Sequence, residues 1–286
     1  MVYNLLMWFF YSLFAACIYG CNEILGKYIT DKKSEPILIG FFVNFYCLLI
    51  ALLFLLFQPI QYSINLPVIL GLLFVGLIYA LGTYTYYYAL KLSPISEFTL
   101  LTRSSVILIP LGGMLFLKES FKDFQSLGII LIILGVIALT WTGKSISLHK
   151  GGLFALVTAL LFAIGALIDK VLIDNFSALL YQVLSYILMV IFLTPALFVV
   201  TKKSKILPSF KTHIMLFASA GLFVLAGFLL LNAYQSGGFV SYVNLVTQFR
   251  IPIVILYGVL ILKEKERILN KLIAMILIVT GTFLLK

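Results

Sequence analysis

The sequence predicts an all-α integral membrane protein with ten transmembrane helices in two inverted five-helix repeats. Three observations carry that expectation. Of the 286 residues, 63% are hydrophobic and only 10% are charged, against roughly 25% charged in an ordinary soluble domain. Mean hydropathy is +1.17, and the apolar residues come in runs near the roughly 18 to 20 needed to cross a bilayer. Segments of the first half recur in the second at one fixed offset. Too little charge is present to cover a water-soluble globule, which excludes a soluble enzyme, a disordered chain and a free nucleic-acid binder.

Breaks at charges, Pro and Gly mark spans at about 4–29, 37–57, 66–90, 94–117, 125–142, 150–172, 178–201, 213–235, 239–262 and 269–285. Helices are required because an unpaired backbone group in lipid costs several kcal/mol. The runs are also too long for barrel strands and lack their alternation. Span 1 is not a cleaved signal, since Met1 to Asn4 carry no Lys or Arg and no small-x-small site follows. It holds Cys17 and Cys21, and span 2 holds Cys47. Without a nearby His these thiols make a poor metal site, and burial as small hydrophobes is expected. Span 3 ends in Tyr79, Tyr84, Tyr86, Tyr87 and Tyr88, an aromatic belt or a stacking wall. Span 4 opens on Ser93-Pro94, a cap and a first-turn proline, with Glu97 at the positive helix end.

The net charge of +10 comes from 20 basic and 10 acidic residues. In a soluble chain this would suggest nucleic acid. Here the Lys cluster in connections, as at Lys32-Lys33, Lys202-Lys203-Lys205 and Lys263-Lys265-Arg267, where they anchor loops against headgroups. Most of them fall on the side opposite the two termini. The positive-inside rule therefore places that side in the cytoplasm and both termini outside.

The repeat is visible in polar residues. "GGMLFLKE" at 112–119 matches "YGVLILKE" at 257–264, an offset of 145. At that offset Ser96 falls on Ser241, Thr99 on Asn244, Thr102 on Thr247, Arg103 on Gln248 and Gly113 on Gly258. Spans 1 and 6 end in "GKYITD" (26–31) and "DKVLID" (169–174). Five spans per half force the halves into opposite orientations, an architecture of secondary transporters. The repeats are expected at 1–143 and 149–286.

The stretch "YYYALKLSPISEFTLLTRSSVILIPLGGMLFLKESFKDFQSLGIILIILGVIAL" (86–139) resembles the EamA-type half of the drug/metabolite transporter superfamily. The resemblance rests on Tyr-Ala-Leu closing span 3, Ser-Pro opening span 4, a Pro within it, Leu-Lys-Glu after it, and Gly128 and Gly135 in span 5. The second half is a weaker copy, without the opening Pro and with Ile273 for the first Gly. The resemblance implies a ten-helix carrier with a central cavity that moves small metabolites by alternating access. It also implies cytoplasmic termini, against the charge count, so the orientation stays open.

Arg103 and Arg250 stand about 15 Å into spans 4 and 9 at 1.5 Å per residue, near the middle of a hydrocarbon layer about 30 Å thick. A guanidinium there needs a partner or a wet cavity. Ser96, Thr99 and Arg103 share one stripe of span 4; Ser241, Asn244 and Gln248 repeat it on span 9, with Thr247 and Arg250 beside it. Pro110 and Pro252 are expected to loosen the two helices, so the stripes would face each other across a solute path. A planar guanidinium suits a carboxylate or phosphate. Substrate contacts are therefore expected from Arg103, Arg250, Thr99, Gln248, Asn244, Tyr84, Tyr88 and Tyr242. The alternative is an internal ion pair of the arginines with Glu23 or Glu97. Glu23 is either paired with Lys27 one turn on or a proton-coupling carboxylate.

No catalytic set, cofactor site or metal site emerges: His149 and His213 sit in connections, away from Cys or acidic clusters. No P-loop supports ATP-driven pumping, and no filter suggests a channel. The expected function is secondary active transport of a small polar metabolite, an amino acid or another carboxylate- or phosphate-bearing solute, across the cell (inner) membrane, with the bilayer and protons as its other partners. Two further readings stay open: efflux of organic cations or drugs through Tyr84 and Tyr88, and a multi-pass protein that transports nothing.

Overall fold

Ten apolar runs in one chain must satisfy their backbone internally and pack on one another. The computed structural model describes residues 6–29, 35–93, 95–140, 150–203, 208–261, 263 and 267–286, with backbone alone at 27, 95–97, 100, 140 and 201–203. The expectations placed on Lys32, Lys33, His149, Lys205 and Lys265, and on the side chains of Lys27, Ser96, Glu97, Lys202 and Lys203, lie outside the described residues.

The helices are α1 (Met7–Ile29), α2 (Pro36–Leu55), α3 (Leu66–Leu92), α4 (Ile95–Thr102), α5 (Ser105–Phe116), α6 (Asp123–Thr140), α7 (Lys150–Leu172), α8 (Ala178–Lys203), α9 (Phe210–Gln235), α10 (Val240–Val246), α11 (Arg250–Leu260) and α12 (Ile268–Leu284). Seven spans are long and apolar enough to cross a membrane by themselves. The pair α4–α5 and the shorter helices α6 and α12 complete the ten. Local chemistry sets several starts. Pro36 opens α2, Asn65 accepts from the Val68 amide at 2.9 Å ahead of α3, and Ser209 accepts from the Thr212 amide at 3.2 Å ahead of α9.

Spans 4 and 9 are each broken, and at the same place. Span 4 interrupts at Arg103–Ser104 between α4 and α5, and span 9 passes through a short 3-10 turn at Thr247–Phe249 between α10 and α11. The expected loosening by proline is half right. Pro252 has no N–H for the Gln248 carbonyl four residues back, so the break lies where its ring demands it. Pro110 sits inside α5, and the break falls a turn earlier. There the hydroxyls of Thr102, Ser104 and Ser105 donate to the carbonyls of Phe98, Leu101 and Thr102 at 2.7–3.1 Å. Such back-bonding bends helices.

Packing repeats across a pseudo-twofold axis. The helix α3 lies along α7 and α9 along α1; α8 touches α3 as α2 touches α9; α5 packs on α7 as α11 packs on α1. The pairs α6–α12 and α2–α8 cross the axis themselves. At the α6–α12 crossing the backbones almost meet: a Cβ on Gly128 would lie 2.8 Å from the Gly281 carbonyl, and one on Gly281 would lie 2.7 Å from that of Gly128. Outward faces are apolar for lipid, with Phe14, Leu53, Leu115 and Phe198 all more than half exposed.

Two expectations need correction. Cys47 is buried, but Cys21 is exposed and Cys17 only partly covered. The α1 face that carries them, with Phe10 and Phe14, turns outward, where a thiol is apolar enough to remain. His213 is not in a connection but in the first turn of α9, hydrogen-bonded to the Tyr46 hydroxyl at 2.9 Å and edge-on to Phe42.

Candidate functional site

Helix breaks expose polar backbone and small side chains, and an inverted repeat places its two breaks together at the axis. Arg103, at the span 4 break, donates through Nη1 to Oε1 of Gln248 at 2.8 Å. These two residues are repeat counterparts, 145 positions apart, so their bond spans the pseudo-twofold axis itself. Gln248 is held in turn by its Nε2, which donates to the Asn244 carbonyl at 3.1 Å.

The other Arg103 amino group donates to both oxygens of Glu23, at 2.9 and 3.2 Å. Arg250 approaches the same carboxylate, Nε to Oε1 at 3.2 Å, but without hydrogen-bond alignment, so its buried Nε has no hydrogen-bond partner. Its guanidinium instead lies 5.7 Å from the Tyr19 ring centre. Thus two cations share one anion, and the cluster carries one positive charge that no described side chain neutralises. It is not sealed: the side chains of Arg103, Arg250 and Glu23 keep 15%, 24% and 32% of their exposure.

Among the described side chains, the arginines find their carboxylate in Glu23. Its two oxygens serve Arg103, and Oε1 also faces Arg250, while the Lys27 and Glu97 side chains lie outside the described residues. Thr99 stands one turn before Arg103, its carbonyl accepting the Arg103 amide at 3.1 Å. Asn244 donates to the Tyr234 hydroxyl at 2.6 Å and to the Val240 carbonyl at 2.8 Å, one turn from Gln248. Three tyrosines are not brought to this centre. The rings of Tyr84 and Tyr88 lie 4.6 Å apart, tilted by 35°, Tyr84 against the Ile37, Ala80 and Leu193 cluster and Tyr88 against Phe154. Tyr242 donates to Gln125 at 2.6 Å within a ring cluster of Trp8, Phe121 and Phe239.

Sequence reasoning missed Tyr19 and Tyr86. Tyr86, in the same run as Tyr84 and Tyr88, lies within electrostatic reach of Glu23, Arg103 and Arg250. The 100° step between neighbours on a helix separates these faces, and nothing in a run of tyrosines says which face turns inward. Asp169 was also missed as a centre: both its oxygens accept tyrosine hydroxyls, from Tyr79 at 2.5 Å and Tyr181 at 2.6 Å. Its signal was present, a lone acid inside an apolar span.

Comparison with known proteins agrees with this architecture. The family model described as "EamA-like transporter family" matches twice, over residues 6–141 and 149–286. A solved crystal structure aligns over 97% of each chain with a TM-score of 0.75 at 15% identity, which establishes a shared fold. No curated protein matches the sequence. Two matched repeats, broken helices at related positions and a polar centre on the axis lead to one conclusion: the chain belongs to the EamA-like transporter family, membrane proteins that carry small solutes.

Proposed function

We propose that this protein is a secondary carrier for a small solute bearing a carboxylate or phosphate, such as an amino acid, and that the solute binds at the paired breaks of spans 4 and 9. One observation supports this most: two guanidinium groups within spans 4 and 9 share a single carboxylate, and the Nε of Arg250 faces it without a hydrogen bond. A buried uncompensated cation is unfavourable, and a monoanionic solute group would supply the missing charge in the bidentate geometry that guanidinium prefers. Gln248 and Asn244 would fix its orientation. As the solute takes over the arginines, Glu23 would be released and free to take a proton, which couples solute to proton movement in the cell membrane. The chemistry is transport without covalent change to the solute.

A thermal-shift screen of the purified protein against a metabolite library, followed by counterflow of each hit in proteoliposomes, tests the reading. Anionic or zwitterionic hits should stabilise the wild type and drive counterflow. Arg103→Ala should remain folded and lose both responses. Stabilisation by permanent cations alone, retained in Arg103→Ala, would overturn the proposal in favour of organic-cation efflux.

A further inference from the structure

The two ends of the molecule are not equivalent. Span 1 runs from a Met7 end to an Ile29 end, and span 9 runs parallel to it, with Trp8 beside Tyr242 and Tyr28 hydrogen-bonded to Tyr257 at 2.7 Å. At the Met7 end, α5 of span 4 packs on α10 of span 9. The repeat-related pair at the Ile29 end is α11 with α4, and among the described residues it shows no comparable packing. The pseudo-symmetry is kept where α3 lies along α7 and α9 along α1, whereas among the described residues spans 4 and 9 pack on each other at the Met7 end.

One side chain ties spans 4 and 9 together at the Met7 end. Phe239, the residue ahead of α10, offers no side-chain cap, so the first amides of α10 need an acceptor from elsewhere. Glu119, 8% exposed, supplies it from the segment after span 4. Its Oε1 accepts from the Val240 amide at 2.6 Å, and its Oε2 accepts from the Ser241 amide at 3.2 Å and from the Ser241 hydroxyl. Gly113 makes room, since a Cβ there would collide with both the Glu119 carboxylate and the Ser241 Oγ. The turn that carries Glu119 back is strained: Lys118 has φ 55°, a left-handed conformation rare for a side-chain-bearing residue. The same turn recurs at its repeat counterpart, Lys263, with φ 56°.

We infer that Glu119 is the latch of the Met7-end gate, binding the start of α10 while spans 4 and 9 are packed together at that end and releasing it when the carrier reverses. A cap drawn from the same span would travel with span 9. A cap drawn from span 4 must break when the two spans part, leaving two amides and a buried carboxylate unpaired, and that is what makes the closed state hold. The inference rests on alternating access, the carrier reading above. Its test needs no solute, so failure here and failure of the anion-binding reading are distinguishable.

The test is pulsed-EPR distance measurement in nanodiscs, with Cys17, Cys21 and Cys47 replaced by Ala. One spin-label pair at Phe116 and Ser236 reports the Met7 end, and one at Leu92 and Leu260 reports the Ile29 end. Glu119→Gln should add a longer distance to the first pair and a shorter one to the second. The ratio of the two states should shift about tenfold, the equivalent of one lost charge-assisted hydrogen bond. Ser241→Ala, which leaves both amide bonds in place, should shift it in the same direction by less. An unchanged Met7-end pair would overturn the inference. So would a broadened Met7-end pair with a static Ile29-end pair, because a merely structural cap loosens one end without closing the other. If Glu119→Gln does not fold, Ser241→Ala decides by the same criteria.

Discussion

Two carboxylates lie within the membrane-spanning helices α1 and α7, which are repeat counterparts, and they are used in opposite ways. Glu23 of α1 faces two guanidinium groups and keeps about a third of its side-chain exposure. Asp169 of α7 is 8% exposed, and among the described residues no cation pairs with it. Its oxygens are instead filled by hydroxyls from α3 and α8, which tie three spans together. The adjacent Lys170 points its ammonium to the Tyr234 carbonyl at 2.7 Å. The contrast teaches where an inverted repeat permits function. A carboxylate that reaches the axis meets the breaks of both halves and an excess of charge. A carboxylate on the counterpart helix, turned off the axis, meets only packed side chains and acts as a fastener.

The largest expected effect breaks the fastener. Asp169→Ala strands two buried tyrosine hydroxyls at roughly 1–3 kcal/mol each, a loss in melting temperature of about 10 °C for a chain of this size. Differential scanning fluorimetry in detergent should find that loss with and without solute. A drop that solute erases would place Asp169 in the binding site and dissolve the distinction. A smaller effect sharpens the other side of the comparison. Arg103→Lys keeps the charge but cannot reach Gln248 and both Glu23 oxygens at once, so counterflow should fall about tenfold, one charge-assisted hydrogen bond, while the melting temperature stays close to wild type. The smallest effect lies at the rim. Tyr28→Phe removes one partner of an exposed hydroxyl pair with Tyr257 and should change stability by less than about 0.5 kcal/mol in the same melt.

The candidate centre is partly legible in the sequence. The offset that pairs Arg103 with Gln248 is readable by eye, and the bond between them joins those same two positions. Glu23 was harder. Lys27 one turn away offers a local explanation that needs no tertiary contact, and sequence spacing weighs only local contacts. The tyrosine run could not be sorted, because Tyr84, Tyr86 and Tyr88 differ only in the face they present. Tyr86 packs edge-on to Phe98 within electrostatic reach of the charges, and the other two pack on each other and on apolar neighbours. Glu119 reads as a loop acid after a helix, and its role as a cap depends on a helix start 121 residues away.

By itself the sequence determined the solvent, the secondary structure and the symmetry. Long apolar runs admit only helices in lipid, and an odd number of spans in a repeated half admits only inversion. Tertiary structure decided which polar groups meet and which end is closed. The cost of an unpaired charge or amide in a low-dielectric interior is met by whatever group folding brings within 3 Å, and for Glu23, Asp169 and Glu119 that group lies on another span.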